Sequence, residues 1–446
     1  MKNKNLILKY GYGKDNFLLK SKIFSDFNEK ITLYVPIYNL KYCKKILNVY
    51  SNKINFFIDP CSYLWLDNSF EAKSNNKKEI INKIFGEENE NKNIDEKIKD
   101  LENSKYLLKI IKETINEQNI ENTLDEIEQQ YLDFIDIQNN TIKYIVPPSF
   151  AIIQNKIDKD VKKIININKK ILNIIYNEQK YNNNFLHIIC LNPKLILDEE
   201  FFNLFLENNT VLKNKNILFW LDNFSLSKYK EHEIKKFLSF FNFFEGKNKF
   251  LLHSDFATSF LLNKHLLKNN FNSMITNIGY GEKRKIFDEG GRAKIYYYSP
   301  ILHKRLRSNE FEIHLNDMKA INNKDGNINK EQFLKNICGC QYCSNILEIE
   351  NNIYKIVHLI ESKKEYLNNK DKQKKELITR LFLEHFLYSK FNEYKKISTL
   401  DKKELIKYIS KIKKLSSTLL DENEKKFFKN LLLLLKDKEN LEENNE

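Results

Sequence analysis

FLHIICLNP (185–193), NILFWLDN (216–223) and KFLLHSD (249–255) follow one another at intervals of roughly thirty residues, the length of a strand, a helix and the turns between them. Their apolar residues are continuous rather than alternating, as in strands buried on both faces of a parallel sheet. Five further runs have the same character: NLILKYG (5–11), ITLYVPIY (31–38), INFFIDP (54–60), IKYIVPP (142–148) and SMITNIGYG (273–281). Helical periodicity fills intervals between them, with Val161, Ile164, Ile165, Ile171, Leu172 and Ile175 after the fourth run and Ile234, Phe237, Leu238 and Phe241 after the sixth. Alternating strands and helices leave a doubly wound sheet or a closed barrel, and the count of eight favours an α/β fold of the (β/α)8 TIM barrel type over residues 1–325. A charged segment, 76–140, interrupts the rhythm and reads as a helical insertion after strand three.

Beyond residue 281 the pattern changes. AKIYYYSPIL (293–302) and EFEIHL (310–315) read as strands, a cysteine-bearing subdomain covers 326–395, and helices with a polar, frayed tail complete 396–446. Prolines 36, 60, 147, 148 and 193 fall at strand ends, where a fixed φ directs the loop outward.

The 446 residues are 41% hydrophobic, 13% aromatic and 30% charged, with a mean hydropathy of -0.56. That composition supports a large core and excludes disorder throughout. No apolar run approaches the roughly eighteen residues of a spanning helix, and the first residues lack the apolar stretch of a signal peptide, so a cytoplasmic chain without a membrane partner is expected. The net charge of +14, from 74 Lys and Arg against 60 Asp and Glu, points to a polyanionic partner such as nucleic acid. Only five of the basic residues are arginine, and four of them, Arg284, Arg292, Arg305 and Arg307, crowd into 24 positions. Their planar forks suit phosphates, and with Lys283 in a glycine-rich loop they form the expected nucleic-acid surface.

Chemistry is expected at two places. On such a barrel the reactive groups stand at the carboxyl ends of strands. These ends carry Asp59, Asn192, Asp222, His253, Asp255, Tyr280 and Glu282; a carboxylate pair among them can divide nucleophilic and acid/base work, and the other polar groups can bind a substrate. The second place is NICGCQYCSN, where Cys338, Cys340 and Cys343 lie within six residues and converge on one tetrahedral ion. A fourth ligand comes from His385, 42 positions after Cys343, or His358, 15 positions after it, and the strongly helical setting of His385 favours it.

Taken together, C338-G-C340-Q-Y-C343 and the eight preceding strand–helix units resemble the tRNA-guanine transglycosylase superfamily, some of whose members act on DNA. The resemblance covers about residues 1–395 and, outside the cysteine motif, concerns order and architecture. It implies a barrel followed by a structural zinc held by C-x-C-x-x-C and a downstream helical His. It also implies exchange of a guanine for a 7-deazaguanine-type base through two aspartates, one a nucleophile and one an acid/base. Asp59 is similar to the early aspartate, although D-P-C-S-Y stands where the family has D-S-G-G-F-Q. The segment FNSMITNIGYGE (271–282) has no aspartate where the family carries its nucleophile, so Asp222 or Glu282 is the expected substitute. The partners so implied are nucleic acid, a modified-base small molecule and a homo- or hetero-oligomer. The other reading is a non-catalytic nucleic-acid-binding subunit on the same scaffold.

Overall fold

A computed structural model describes residues 7–9, 31–36, 54–62, 82, 84–86, 92–116, 144–177, 185–246, 248–252, 255–277, 297–321, 325–415 and 422–443. Seven strands form one parallel sheet: β1 (Ile7–Lys9), β2 (Ile31–Pro36), β3 (Ile54–Asp59), β4 (Leu186–Leu191), β5 (Asn216–Leu221), β6 (Lys249–Leu252) and β7 (Ser273–Asn277). Their order is β3-β2-β1-β7-β6-β5-β4, so the first strand pairs with both the second and the last. In register, Lys9 lies beside Tyr34, Pro36 beside Asp59 and Cys190 beside Trp220.

Alternate residues of each strand enter two different cores. Leu8, Val35, Ile58, Ile189, Phe219 and Leu251 face the helical layer, whereas Ile7, Tyr34, Phe57, Ile188, Trp220, Phe250 and Ile275 form a second cluster on the opposite face. This two-sided burial is why the strands read as unbroken apolar runs. Tyr144 packs edge-on against Phe57 of β3 and against Phe250 of β6, each with ring centroids 6.0 Å apart, so the sheet curls around the second cluster.

The expected fourth strand, 142–148, is not a ladder strand among the described residues. Ile145 and Ile152 make single parallel bridges to Phe185 and Leu191. Between them Pro147 and Pro148 have no N–H to donate, which prevents a continuous ladder. Ser62 and Ser149 connect this stretch to the end of β3: the Ser149 N–H donates to Ser62 Oγ at 3.0 Å, and that hydroxyl donates to the Ser149 carbonyl at 3.1 Å.

Helices cover the outer face. Within the expected insertion lie α1 (Ile94–Glu102), opened by a capping box from Asn93, and α2 (Ser104–Asn116). They are followed by α3 (Lys159–Asn177), α4 (Pro193–Ile196), α5 (Glu199–Asn208), α6 (Glu231–Phe243) and α7 (Phe256–Ser259). Phe219 of β5 is ringed by Phe240, Phe241, Phe244 and Phe271 at centroid distances of 5.3–5.9 Å, mostly edge-to-face, the geometry aromatic quadrupoles favour.

An antiparallel hairpin, β8 (Tyr297–Ser299) with β9 (Lys304–Leu306), leads into α8 (Ser308–Asp317), α9 (Lys330–Asn336), α10 (Gln341–Ile349), α11 (Ile353–Glu361), α12 (Asn369–Thr399), α13 (Lys402–Leu415) and α14 (Glu422–Glu443). EFEIHL is thus helical, not a strand, and α14 extends into the tail expected to fray. The helix α12 runs unbroken past the division expected at residue 395. Its end is bound to the sheet side of the molecule, where Asn263 Nδ2 donates to the carbonyls of Ile397 at 2.7 Å and Leu400 at 2.9 Å. No helix of the described residues is long and apolar enough to cross a membrane.

Candidate functional site

The three clustered cysteines and His385 come together as one potential metal centre. Cys340 is the N-cap of α10, its sulfur 3.4 Å from the N–H of Cys343 in the first turn, so the helix start aims two thiols the same way. His385 projects from the middle of α12, and its Nδ1 lies 3.8, 3.3 and 3.4 Å from the sulfurs of Cys338, Cys340 and Cys343. All four ligand atoms fall within 4.8 Å of one another. A tetrahedral ion with bonds of about 2.3 Å to sulfur and about 2.0 Å to nitrogen holds its ligands roughly 3.5–3.8 Å apart, so the set fits.

The surroundings also fit a metal. The Nε2–H of His385 donates to the Tyr298 carbonyl at 2.7 Å, which leaves Nδ1 with its lone pair toward the sulfurs. The Tyr297 ring stacks on the imidazole, 5.0 Å away and within 8° of parallel, and its hydroxyl lies 3.7 Å from Cys343 Sγ. Burial opposes charge on His385, yet the Cys338 and Cys340 sulfurs outweigh it and push its pKa up to about 10, so positive charge at Nδ1, whether a proton or a metal ion in its place, is favoured there. Hydrogen bonds from Cys338 and Cys343 draw the Cys340 thiol well down. Thiolate charge concentrated beside a buried ring is the environment a dication neutralises. His358 is exposed and bonds to Ser362, outside this cluster.

At the carboxyl ends of the strands a second cluster surrounds Asp59, which has no exposed surface. One carboxylate oxygen accepts from the Cys61 N–H at 2.8 Å, and the other accepts from the Tyr34 hydroxyl and the Cys61 thiol. Cys61 adopts φ +57°, a left-handed conformation costly for a residue with a Cβ, and its N–H folds back on the aspartate. Lys9 from β1 reaches over Tyr34, 5.5 Å from its ring centre, and over Trp220 of β5 at 4.7 Å. Cys190 of β4 has its thiol pKa raised by burial and then by the nearby Asp59 and Cys61, with Lys9 opposing. Five strands thus contribute to one group of buried acid, phenol, thiols and indole beneath a half-buried ammonium.

The sequence pointed to Asp59 but not to Lys9, Tyr34, Cys61, Cys190 or Trp220. Only the register Lys9↔Tyr34 and Cys190↔Trp220 brings them together.

The other expected site residues divide clearly. Asp222 follows β5 and is half-buried; burial, then Glu233 and last Asp222 raise the Tyr229 pKa to about 12. Asn192 caps α4 through Lys194 N and donates to the Ile153 carbonyl and to Asn155. Asp255 caps α7, accepting from Thr258 N at 2.8 Å. Arg305 lays its guanidinium 4.1 Å over Phe386, and exposed Arg307 precedes α8 with its backbone N–H on Glu310. His253, Tyr280, Glu282, Lys283, Arg284 and Arg292 lie outside the described residues.

No family of known proteins matches this chain, and neither does any curated protein sequence or any solved structure.

Proposed function

We propose that this chain is a divergent relative of the tRNA-guanine transglycosylases, a (β/α)8 barrel with a structural zinc subdomain that exchanges a guanine in tRNA or DNA for a 7-deazaguanine-type base. The observation carrying the proposal is the succession along the chain: a curled parallel sheet whose first and last strands pair, followed by a Cys3His centre seated against the β8 carbonyl. The bridges of the stretch 144–152 to Phe185 and Leu191, and its tie to the end of β3 through Ser62, support reading it as the segment that closes the barrel.

In this reading zinc fixes α10 and α12 against the hairpin and takes no part in the reaction. Asp59, buried among hydrogen-bond donors, suits the proton-transfer role; half-buried Asp222 suits nucleophilic attack. Asp222 attacks the anomeric carbon, and guanine leaves with the proton held by Asp59. The incoming base returns a proton to Asp59 as it displaces the Asp222 ester. Labelled guanine exchange into tRNA and duplex DNA, with a denaturing gel for the covalent adduct, tests this. Wild type should incorporate label, Asp59→Asn should lose exchange, and Asp222→Asn should lose the adduct as well.

A second reading is favoured by one observation. Asp59 is wholly enclosed by Tyr34 and Cys61, the arrangement of a carboxylate kept for structure, and a non-catalytic nucleic-acid-binding subunit would have that use for it. Absence of exchange on both substrates with intact binding selects it.

A further inference from the structure

We propose that the exposed face of α13 is a docking surface for the phosphate backbone of a nucleic acid; this rests on the reading of the chain as a nucleic-acid protein. The helix KKELIKYISKIKKL carries six lysines against one glutamate. Lys403, Lys407, Lys411 and Lys414 recur every three or four residues and are all exposed, so they line one side of the helix. At 1.5 Å per residue the stripe is about 16 Å long, a length over which duplex DNA presents roughly ten phosphates.

Three features separate this face from an ordinary solvated one. Among the described residues none of the four lysines pairs with a carboxylate. Glu404, the helix's acid, is engaged in a capping box, accepting from the Asp401 N–H at 3.1 Å while Asp401 accepts from its own N–H at 2.8 Å. A further cation is held against the stripe: Lys396, at the end of α12, sits 4.4 Å over the Tyr408 ring, and its pKa is lowered by burial and then by Lys411. Like charges kept this close are relieved by a polyanion.

The opposite side of α13 decides between anionic partners. Leu405, Ile409 and Ile412 are buried, which leaves no apolar face to enter a lipid interface as an amphipathic membrane helix does. Phosphates approached from outside, with the helix remaining packed, need only the lysines.

Fluorescence anisotropy with labelled tRNA and a short DNA duplex, across a salt series, tests the surface. Each lost phosphate contact lowers the salt slope by about 0.9 on duplex. The quadruple variant Lys403→Gln, Lys407→Gln, Lys411→Gln, Lys414→Gln should therefore lose up to about 3.6 from the slope on duplex and bind at least tenfold more weakly at moderate salt, with helix content by circular dichroism unchanged. Lys169→Gln with Lys170→Gln on α3 should retain the wild-type slope. A quadruple variant with wild-type slope removes the surface while leaving nucleic-acid binding standing. An equal loss in the α3 control reduces the effect to net charge and also overturns it. Wild type that binds neither nucleic acid sinks both proposals, and wild type that binds phosphatidylserine vesicles instead assigns the stripe to a membrane.

Discussion

Tyr34 shows what one hydroxyl does in a buried setting. It donates to a carboxylate with no access to water, so Tyr34→Phe leaves an acceptor lone pair without its donor. A loss of about 1–3 kcal/mol is expected in urea unfolding. A variant as stable as wild type shows that the Asp59 cluster does not need the phenol. At the proposed zinc centre, Cys340→Ser removes one thiol from the Cys3His set, and plasma emission spectrometry should find the purified variant well below one zinc per chain. Full zinc in that variant places the ion elsewhere. The position of Asp59 at a strand end and the meeting of Cys338, Cys340, Cys343 and His385 were readable because spacing and position relative to strand ends are linear properties. Lys9 and Tyr34 were not, since a lysine and a tyrosine twenty-five residues apart meet only when register sets them side by side.

At the scale of elements, the parallel strands were legible because burial on both faces leaves an unbroken apolar run. EFEIHL misled for a related reason. Phe311, Ile313 and Leu315 alternate like a strand, yet Ile313 is exposed while Phe311, His314 and Leu315 are buried on one helical face. The signal for helix lay just before it, where Glu310 accepts from the Arg307 N–H. The same helix ends with Lys319 at φ +54°, its N–H on the Asn316 carbonyl and the next N–H on the Leu315 carbonyl. This is the doubled bond of a helix stop that glycine fills most readily. Lys319→Gly should therefore raise stability by about 1 kcal/mol in denaturant titration; a lower midpoint means that the lysine side chain contributes more than the turn costs.

For the molecule as a whole, acid is the expected weakness. Burial, with Lys215, lowers the pKa of His187 to about 3, and burial lowers that of His314 to about 4. Folded-state values below the usual 6.5 mean that the unfolded chain binds these protons first. The stability is complete above about pH 6.5 and is lost as pH falls toward 4 and 3. Thermal melting between pH 7.5 and 4.5 should show this decline, and His187→Leu with His314→Leu should flatten it even if the variant starts lower. An unchanged slope in the double variant assigns the acid sensitivity to other groups.

The long helix α12 gives the molecule one more property. Its 31 residues make a rod of about 46 Å, anchored at His385 by the three cysteines and the Tyr298 carbonyl and, about 18 Å further along, by the Asn263 amide. A strut fixed at two points passes any loosening at one anchor to the other. If the Cys3His set holds an ion as proposed, its chelation is felt by the sheet as well as by the cysteine loop, and calorimetry should record one melting peak that shifts downward as a unit, because this rod joins the two parts into a single cooperative body.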